Sequence, residues 1–275
     1  MEKLAYPLIV TDFDGTLLRT DYKIADCTLA QIERYKADGG HFALCTGRTL
    51  SSALLIAKEL GLTGLLACFQ GSVVADIQSG ELVVDGGLMP LDAARICRLL
   101  EEMGLHFHVY DTYEYYSNAN DEWLRHYESV VKVKARVIDN EPLSAFVERT
   151  KMPVRKVLVL VDPEKREGVY KAIAQRFGQE FYVTYSAAFL VEITNASYSK
   201  ATALERIAKH YGVPVEKTIS VGDSLNDLPM IECAGLGIAV KNADNALKAA
   251  ANMVCEYTND EDALGEIIRR YAYKN

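Results

Sequence analysis

The chain has 275 residues, room for one large domain or two of the usual ~150. Its 49% hydrophobic and 25% charged residues give the balance of a globular protein with a core, which excludes a disordered or low-complexity chain. The net charge of −8 opposes nonspecific binding to a phosphate backbone, so no nucleic-acid partner is expected.

Tyr6–Thr11 is a short apolar, β-branched run that ends in acids and a glycine, which predicts a buried strand and a tight loop. A helix over Thr28–Lys36 stops at Gly39-Gly40, a second strand follows over His41–Thr46, then a helix over Thr49–Leu60 and a strand over Leu65–Phe69. The same rhythm returns late in the chain. A helix over Lys200–Tyr211 precedes strands at Lys217–Val221, Leu236–Val240 and Met253–Glu256, with helices at Leu228–Cys233 and Ala243–Ala251. Strands alternating with helices at this spacing predict a parallel sheet covered on both faces. The middle differs, with helices at Leu91–Met103, Asp121–Tyr127 and Pro163–Phe177. Its strands fall at His106–Tyr110, Glu114–Ser117, Val131–Ile138, Val154–Val161 and Phe181–Tyr185. The close joins predict an antiparallel α+β unit over 84–187, inserted into an α/β core formed by 1–83 and 188–275.

The first strand runs into Asp12-Phe13-Asp14-Gly15-Thr16. Residues i and i+2 of an extended chain project to one side, so Asp12 and Asp14 can face one ligand at a strand's carboxyl end, where open α/β sheets bind. Paired carboxylates suit a hard cation such as Mg²⁺. An isolated acidic turn would read the same way. A second acidic cluster, Gly222-Asp223-Ser224-Leu225-Asn226-Asp227, leaves another predicted strand end and is what separates the two readings. Carboxylates alone would repel a phosphate. Lys200 supplies a cation, Thr46 a hydroxyl and Gly47 an exposed backbone N–H. Together these are the parts of a nucleophile, a proton carrier, a metal cradle and a phosphate clamp.

Four segments carry a resemblance: DFDGTL (Asp12–Leu17), CTGR (Cys45–Arg48), Ser199-Lys200 and GDSLNDLPM (Gly222–Met230). In order and spacing they resemble the four motifs of the haloacid dehalogenase-like phosphohydrolases, and more narrowly the Cof-type subfamily, whose large α/β cap is inserted between motifs two and three. The resemblance implies a Rossmann-like core with the insert as cap. It implies a Mg²⁺-dependent phosphatase acting on a small phosphorylated metabolite. Asp12 would attack phosphorus and also bind Mg²⁺. Asp14 would act as general acid and then base, its backbone carbonyl on the metal. Asp223 and Asp227 would complete the metal site, while Phe13, Thr46, Gly47, Lys200 and Asn226 would hold phosphate. The cap would close over the site and select the leaving group. Three positions depart from the usual pattern: Phe13 for Leu, Ala201 for Gly after Lys200, and Gln70-Gly71 for Asn-Gly.

The expected cap holds the only tryptophan, Trp123, and half of the 16 tyrosines. Aromatic bodies with polar tips suit recognition of a sugar or a ring, which makes Tyr110, Tyr113, Tyr115, Tyr116 and Trp123 the candidates for specificity. His106 and His108 share a strand face, but no third ligand follows at a metal-site spacing. Lys132, Lys134 and Arg136 alternate with apolar residues and read as a solvated strand face. The six cysteines form no CxxC pair, and no run reaches the ~18 apolar residues of a membrane span, so a cytoplasmic protein with reduced thiols and no membrane partner is expected. A phosphomutase sharing the phospho-aspartate is the nearest alternative. A phospho-acceptor signalling domain is more distant, because it would have no use for the insert.

Overall fold

The computed structural model describes residues 3–131 and 133–274. The chain forms β1 (Leu8–Thr11), α1 (Asp26–Ala37), β2 (His41–Cys45), α2 (Leu50–Glu59), β3 (Leu65–Cys68), β4 (Val73–Asp76) and β5 (Leu82–Asp85). There follow α3 (Pro90–Glu102), β6 (His106–Tyr110), β7 (Tyr115–Ser117), α4 (Glu122–Val131), β8 (Arg136–Val137), α5 (Leu143–Thr150), β9 (Lys156–Leu160), α6 (Pro163–Phe177), β10 (Phe181–Ala187) and β11 (Leu190–Asn195). The last part is α7 (Lys200–Tyr211), β12 (Thr218–Gly222), α8 (Leu228–Cys233), β13 (Leu236–Ala239), α9 (Asn245–Ala250), β14 (Met253–Val254) and α10 (Ala263–Tyr271). The fold is a mixed α/β one, with a largely parallel sheet and a second sheet.

Two compact units divide the chain. One comprises residues up to Arg48, Ser52–Val84 and the chain from Ser199 onward; the other is Asp85–Tyr198 with Thr49–Ser51. The return had been expected at residue 188. That point falls in the two-residue turn joining β10 to β11, and β11 pairs antiparallel with both β10 and β9, so it belongs to the inserted sheet.

In the first unit the strand order is β14-β13-β12-β1-β2-β3-β4-β5. The six strands from β14 to β3 are parallel, whereas β4 runs antiparallel to β3. The hairpin of β4 and β5 was not expected and extends the sheet beyond its parallel part. Leu8, Val10, Ala43, Cys45, Leu65 and Ala67 face Ala203, Leu204, Ile207 and Ala208 of α7 in one buried layer. Strand residues buried on both faces explain the unbroken apolar runs. After β1 the chain moves through β2 and β3 to one side, while β12 to β14 build the other. The order therefore reverses between β1 and β12, which is where a doubly wound sheet opens a crevice.

The inserted sheet has the order β10-β11-β9-β6-β7-β8, antiparallel except for β7 with β8. Phe107, Val109, Val157, Val159, Val191 and Ile193 form its apolar face, packed with Ala94, Ile96, Cys97, Leu143, Val147, Ile173 and Phe177 from α3, α5 and α6. The strand expected over Val131–Ile138 is mostly replaced: α4 continues through Val131 and only Arg136–Val137 pair. Lys132 lies outside the described residues, while Lys134 and Arg136 project to solvent toward Glu128 and Glu114. All six cysteines are free, three of them buried.

Candidate active site

Parallel register aligns the ends of three strands. Thr11 lies opposite both Val221 and Leu44, and the Asp12 N–H donates to the Val221 carbonyl at 2.8 Å. Asp12, Thr46 and Asp223 are the residues that step off these strands, so one rim receives all three. Two glycines make the approach possible. Gly15 has φ +77°, and a Cβ there would lie 2.8 Å from Asp223 Oδ2. A Cβ on Gly222 would lie 2.5 Å from the Asp227 Cβ. A side chain at Gly15 would press on the second acidic segment, and one at Gly222 would press on the turn that carries Asp227.

Lys200 is the first residue of α7. Ser199 caps that helix, accepting from the Thr202 N–H while Thr202 Oγ1 accepts from the Ser199 N–H. Ala201 sits inside the regular helix, so the glycine usual there has no conformational task in this chain. A cation at a helix N-terminus opposes the dipole, and here two carboxylates compensate: Lys200 Nζ donates to Asp12 Oδ1 and Asp227 Oδ1, each at 2.5 Å. Burial alone would lower the Lys200 pKa, but these carboxylates hold it well above the usual range.

Asp12, Asp223 and Asp227 bring carboxylate oxygens within 4.8 Å of one another, and among the described residues they form the one such cluster of three or more metal-ligating side chains. Asp227 accepts three hydrogen bonds. Its Oδ2 accepts the N–H groups of Asp223 and Ser224 at 2.9 and 3.0 Å, and its Oδ1 takes Lys200. Asp223 Oδ1 accepts from Thr16 Oγ1 at 2.6 Å. Burial, and then the Asp227 charge, push the Asp223 carboxyl up to about 6. Burial raises Asp12 well above the usual carboxylate range, with Lys200 opposing and Asp227, Asp223 and Asp14 adding. Three carboxylates facing one ammonium leave an excess of negative charge in a desolvated place. Oxygen donors with that excess fit a hard divalent cation.

Asp14 is beside this cluster without joining it. Its two oxygens accept from Arg48, Oδ2 from Nε and Oδ1 from Nη2, both at 2.6 Å. Phe13 is fully buried and packs under the Arg48 guanidinium. Thr46 is buried at the end of β2, with its N–H on the Ala67 carbonyl and its hydroxyl accepting from the Arg48 N–H. Gly47 joins the two. Asn226 is held by Ser224 Oγ on its oxygen, and its Nδ2 donates to Gln70 Oε1 at 3.3 Å.

Sequence reasoning gave no role to Arg48, Thr16 or Gln70, although each lies within or beside a quoted segment. Gln70 belongs to a turn of three successive left-handed residues, Phe69, Gln70 and Gly71, with φ of 49°, 58° and 95°. This strained turn carries the Phe69 and Gln70 N–H groups onto the Arg48 and Thr46 carbonyls. The longer Gln side chain then reaches Asn226.

The aromatic candidates do not form one surface. Tyr110 and Tyr115 stack at 5.1 Å, both buried, with Tyr110 donating to the Tyr127 hydroxyl and Tyr115 to the Val133 carbonyl. Tyr116 points to the opposite face of β7, against Phe146. Tyr113 is 65% exposed, and Trp123 is half-buried on α4. His106 and His108 do share a face, but their Nε2 atoms bond each other at 2.9 Å and His106 Nδ1 pairs with Asp121 at 2.8 Å.

The chain is similar to known proteins in sequence and in fold. A 5-amino-6-(5-phospho-D-ribitylamino)uracil phosphatase of Bacillus subtilis is 29% identical, over 98% of this chain and 99% of its own. A second B. subtilis phosphatase is 27% identical, over 95% and 98%. A crystal structure from Thermotoga maritima superposes with a TM-score of 0.83 at 27% identity, covering 98% of both chains. A haloacid dehalogenase-like hydrolase of B. subtilis gives 0.84 at 25% identity, covering 96% of this chain and 99% of that one. No helix among the described residues is long and apolar enough to cross a membrane. A sequence model of one family matches residues 9–268, nearly the whole chain, and with these neighbours it settles the assignment: the chain belongs to the haloacid dehalogenase-like hydrolases.

Proposed function

We propose that this protein is a Mg²⁺-dependent phosphatase that hydrolyses small phosphomonoesters through a phosphorylated Asp12. The observation that carries the reading is the Asp12 carboxylate at the end of β1, held by Lys200 and facing Asp223. Asp12 attacks phosphorus, and Asp14 gives a proton to the leaving oxygen and later takes one from water. The Phe13 and Gly47 N–H groups, the Thr46 hydroxyl, the second Asn226 amide proton and Lys200 receive the phosphate oxygens. Asp12, Asp223, Asp227 and the Asp14 carbonyl would hold Mg²⁺, with Asp227 also fixing Lys200 and the turn behind them. When bound, the metal offsets the charge of the carboxylates and of the incoming phosphate.

The substrate class we assign is a sugar phosphate or related phosphometabolite, in keeping with the relative named for a phosphoribitylamino compound. Selection of the organic part falls to the inserted unit. The free cysteines suit a reducing, cytoplasmic setting. Phosphate release from p-nitrophenyl phosphate tests the reaction. Turnover is expected with Mg²⁺, none with a chelator, and a loss of about 10⁴-fold or more in Asp12→Asn. Activity that survives both chelation and Asp12→Asn would remove the mechanism.

A further inference from the structure

We propose that Arg48 is a positioning residue that holds Asp14 as the proton acceptor for hydrolysis of phosphorylated Asp12, an inference that rests on the phosphatase reading. The guanidinium has one available orientation. Nε and Nη2 make the paired 2.6 Å bonds to Asp14, Nη1 donates to Ser52 Oγ at 3.3 Å, and the group lies 5.8 Å over the Phe13 ring. Its backbone is fixed on both sides, by Thr46 Oγ1 on the N–H and the Phe69 N–H on the carbonyl. A planar fork matched to a carboxylate sets direction as well as distance, which an ammonium does not.

Asp14 needs such a partner because the acids beside it repel it. The Asp14 side chain is 45% exposed, and Lys200 is already committed to Asp12 and Asp227. Without Arg48, repulsion from Asp12 turns the Asp14 carboxylate out to solvent. The site therefore uses two cations for two tasks: Lys200 orients the nucleophile and Arg48 orients the proton carrier. The paired bonds fix the plane and direction of the Asp14 carboxylate and leave each oxygen a further lone pair. In the second half-reaction a water oxygen bonds to phosphorus, and the bond from phosphorus to the Asp12 oxygen breaks. The electron pair returns to the Asp12 carboxylate and the water proton passes to Asp14.

Single-turnover and steady-state kinetics on p-nitrophenyl phosphate isolate this step, because p-nitrophenolate leaves without needing a proton. Arg48→Met removes the charge and the fork, and Arg48→Lys keeps a cation without the fork. Both variants are expected to release a burst of p-nitrophenolate at the wild-type rate, followed by steady-state phosphate release lowered about 100-fold in Arg48→Met and less in Arg48→Lys. Phosphorylated enzyme accumulates, and burst amplitude counts the competent molecules even if part of the preparation is unfolded. A slowed first turnover, or unchanged steady-state release, in the competent fraction overturns the assignment. Wild type and Asp12→Asn are run alongside. A wild type without turnover defeats the phosphatase reading itself, whereas an active wild type with no accumulation in the Arg48 variants defeats only the role of Arg48.

Discussion

Lys200 and Lys156 are both buried lysines facing carboxylates, and their surroundings differ in one respect. Lys200 meets Asp12 and Asp227 at 2.5 Å each, with Asp223 close by. Lys156, the first residue of β9, meets Glu192 at 3.6 Å, the two side chains 6% and 3% exposed, with the Tyr110 ring 5.0 Å from its ammonium. In the inserted sheet, this pair is balanced one for one beside the Tyr110 ring. At the strand ends of the first unit, negative charge exceeds positive, and burial, with the neighbouring carboxylates adding, raises the Asp12 and Asp223 carboxyls. Balanced burial holds an element in place, while unbalanced burial waits for an external cation.

Removing each lysine is the strongest way to break that comparison. Lys200→Met leaves the buried Asp12 and Asp227 and the half-buried Asp223 without their ammonium. Stability at neutral pH is expected to fall by about 3–5 kcal/mol, and to return in part with Mg²⁺. Phosphate release by the folded fraction should fall about 10³-fold. Lys156→Met should lower stability comparably, without recovery on adding Mg²⁺ and with kcat for p-nitrophenyl phosphate nearly unchanged. Denaturant unfolding with and without the metal, read beside initial rates, checks both. Equal Mg²⁺ rescue of the two variants would erase the distinction.

The contrast was only partly legible in the sequence. Asp12, Asp14, Asp223 and Asp227 announce themselves through short-range signals, apolar runs that end in acids and a glycine, and parallel register makes those ends converge. Pairings over long separations carry no such signal. Arg48 is 34 residues from Asp14, and nothing local says that its fork closes there. The hairpin of β4 and β5 and the strand β11 were missed because each follows a tight turn directly after an element already recognised. The insert boundary was consequently set one strand early. The tyrosines fail for a different reason: their number was read, but their period was not. Tyr115 and Tyr116 are adjacent on β7, so alternation sends them to opposite faces, one into the buried aromatic cluster and one into the apolar core.

A smaller effect sharpens the comparison from the metal side. The Asp223 carboxyl lies near 6 before a cation binds, above an unfolded carboxylate at about 4. The folded chain therefore holds this proton more tightly, and metal-free stability is lost as pH rises through that window. Mg²⁺ has to displace the proton, so affinity should fall by up to about tenfold between pH 6 and pH 5 and level off above pH 7. Calorimetric titration at these values is the check. Affinity that is flat from pH 5 to 7 would mean that the excess charge is neutralised by some other group.

The inserted unit should answer pH with the opposite sign. His106 Nδ1 pairs with Asp121 and its Nε2 with His108 Nε2, which leaves the buried His108 Nδ1 without a hydrogen-bond partner. Burial, then His106 and Lys156, hold the His108 pKa well below its ordinary value. The groups facing it from neighbouring strands and α4 are Tyr110, Tyr115 and Tyr127, none of which offers a negative charge at neutral pH. The unfolded chain thus binds a proton that the folded one refuses, and stability is lost as pH falls below about 6.5, by at most about 1.4 kcal/mol per unit. His108→Gln should remove that slope, while Asp223→Asn removes the opposing one. If urea unfolding of the Mg²⁺-loaded protein, in which Asp223 no longer titrates, shows the same acid slope with and without His108, then the buried histidine is not what makes the inserted sheet sensitive to acid.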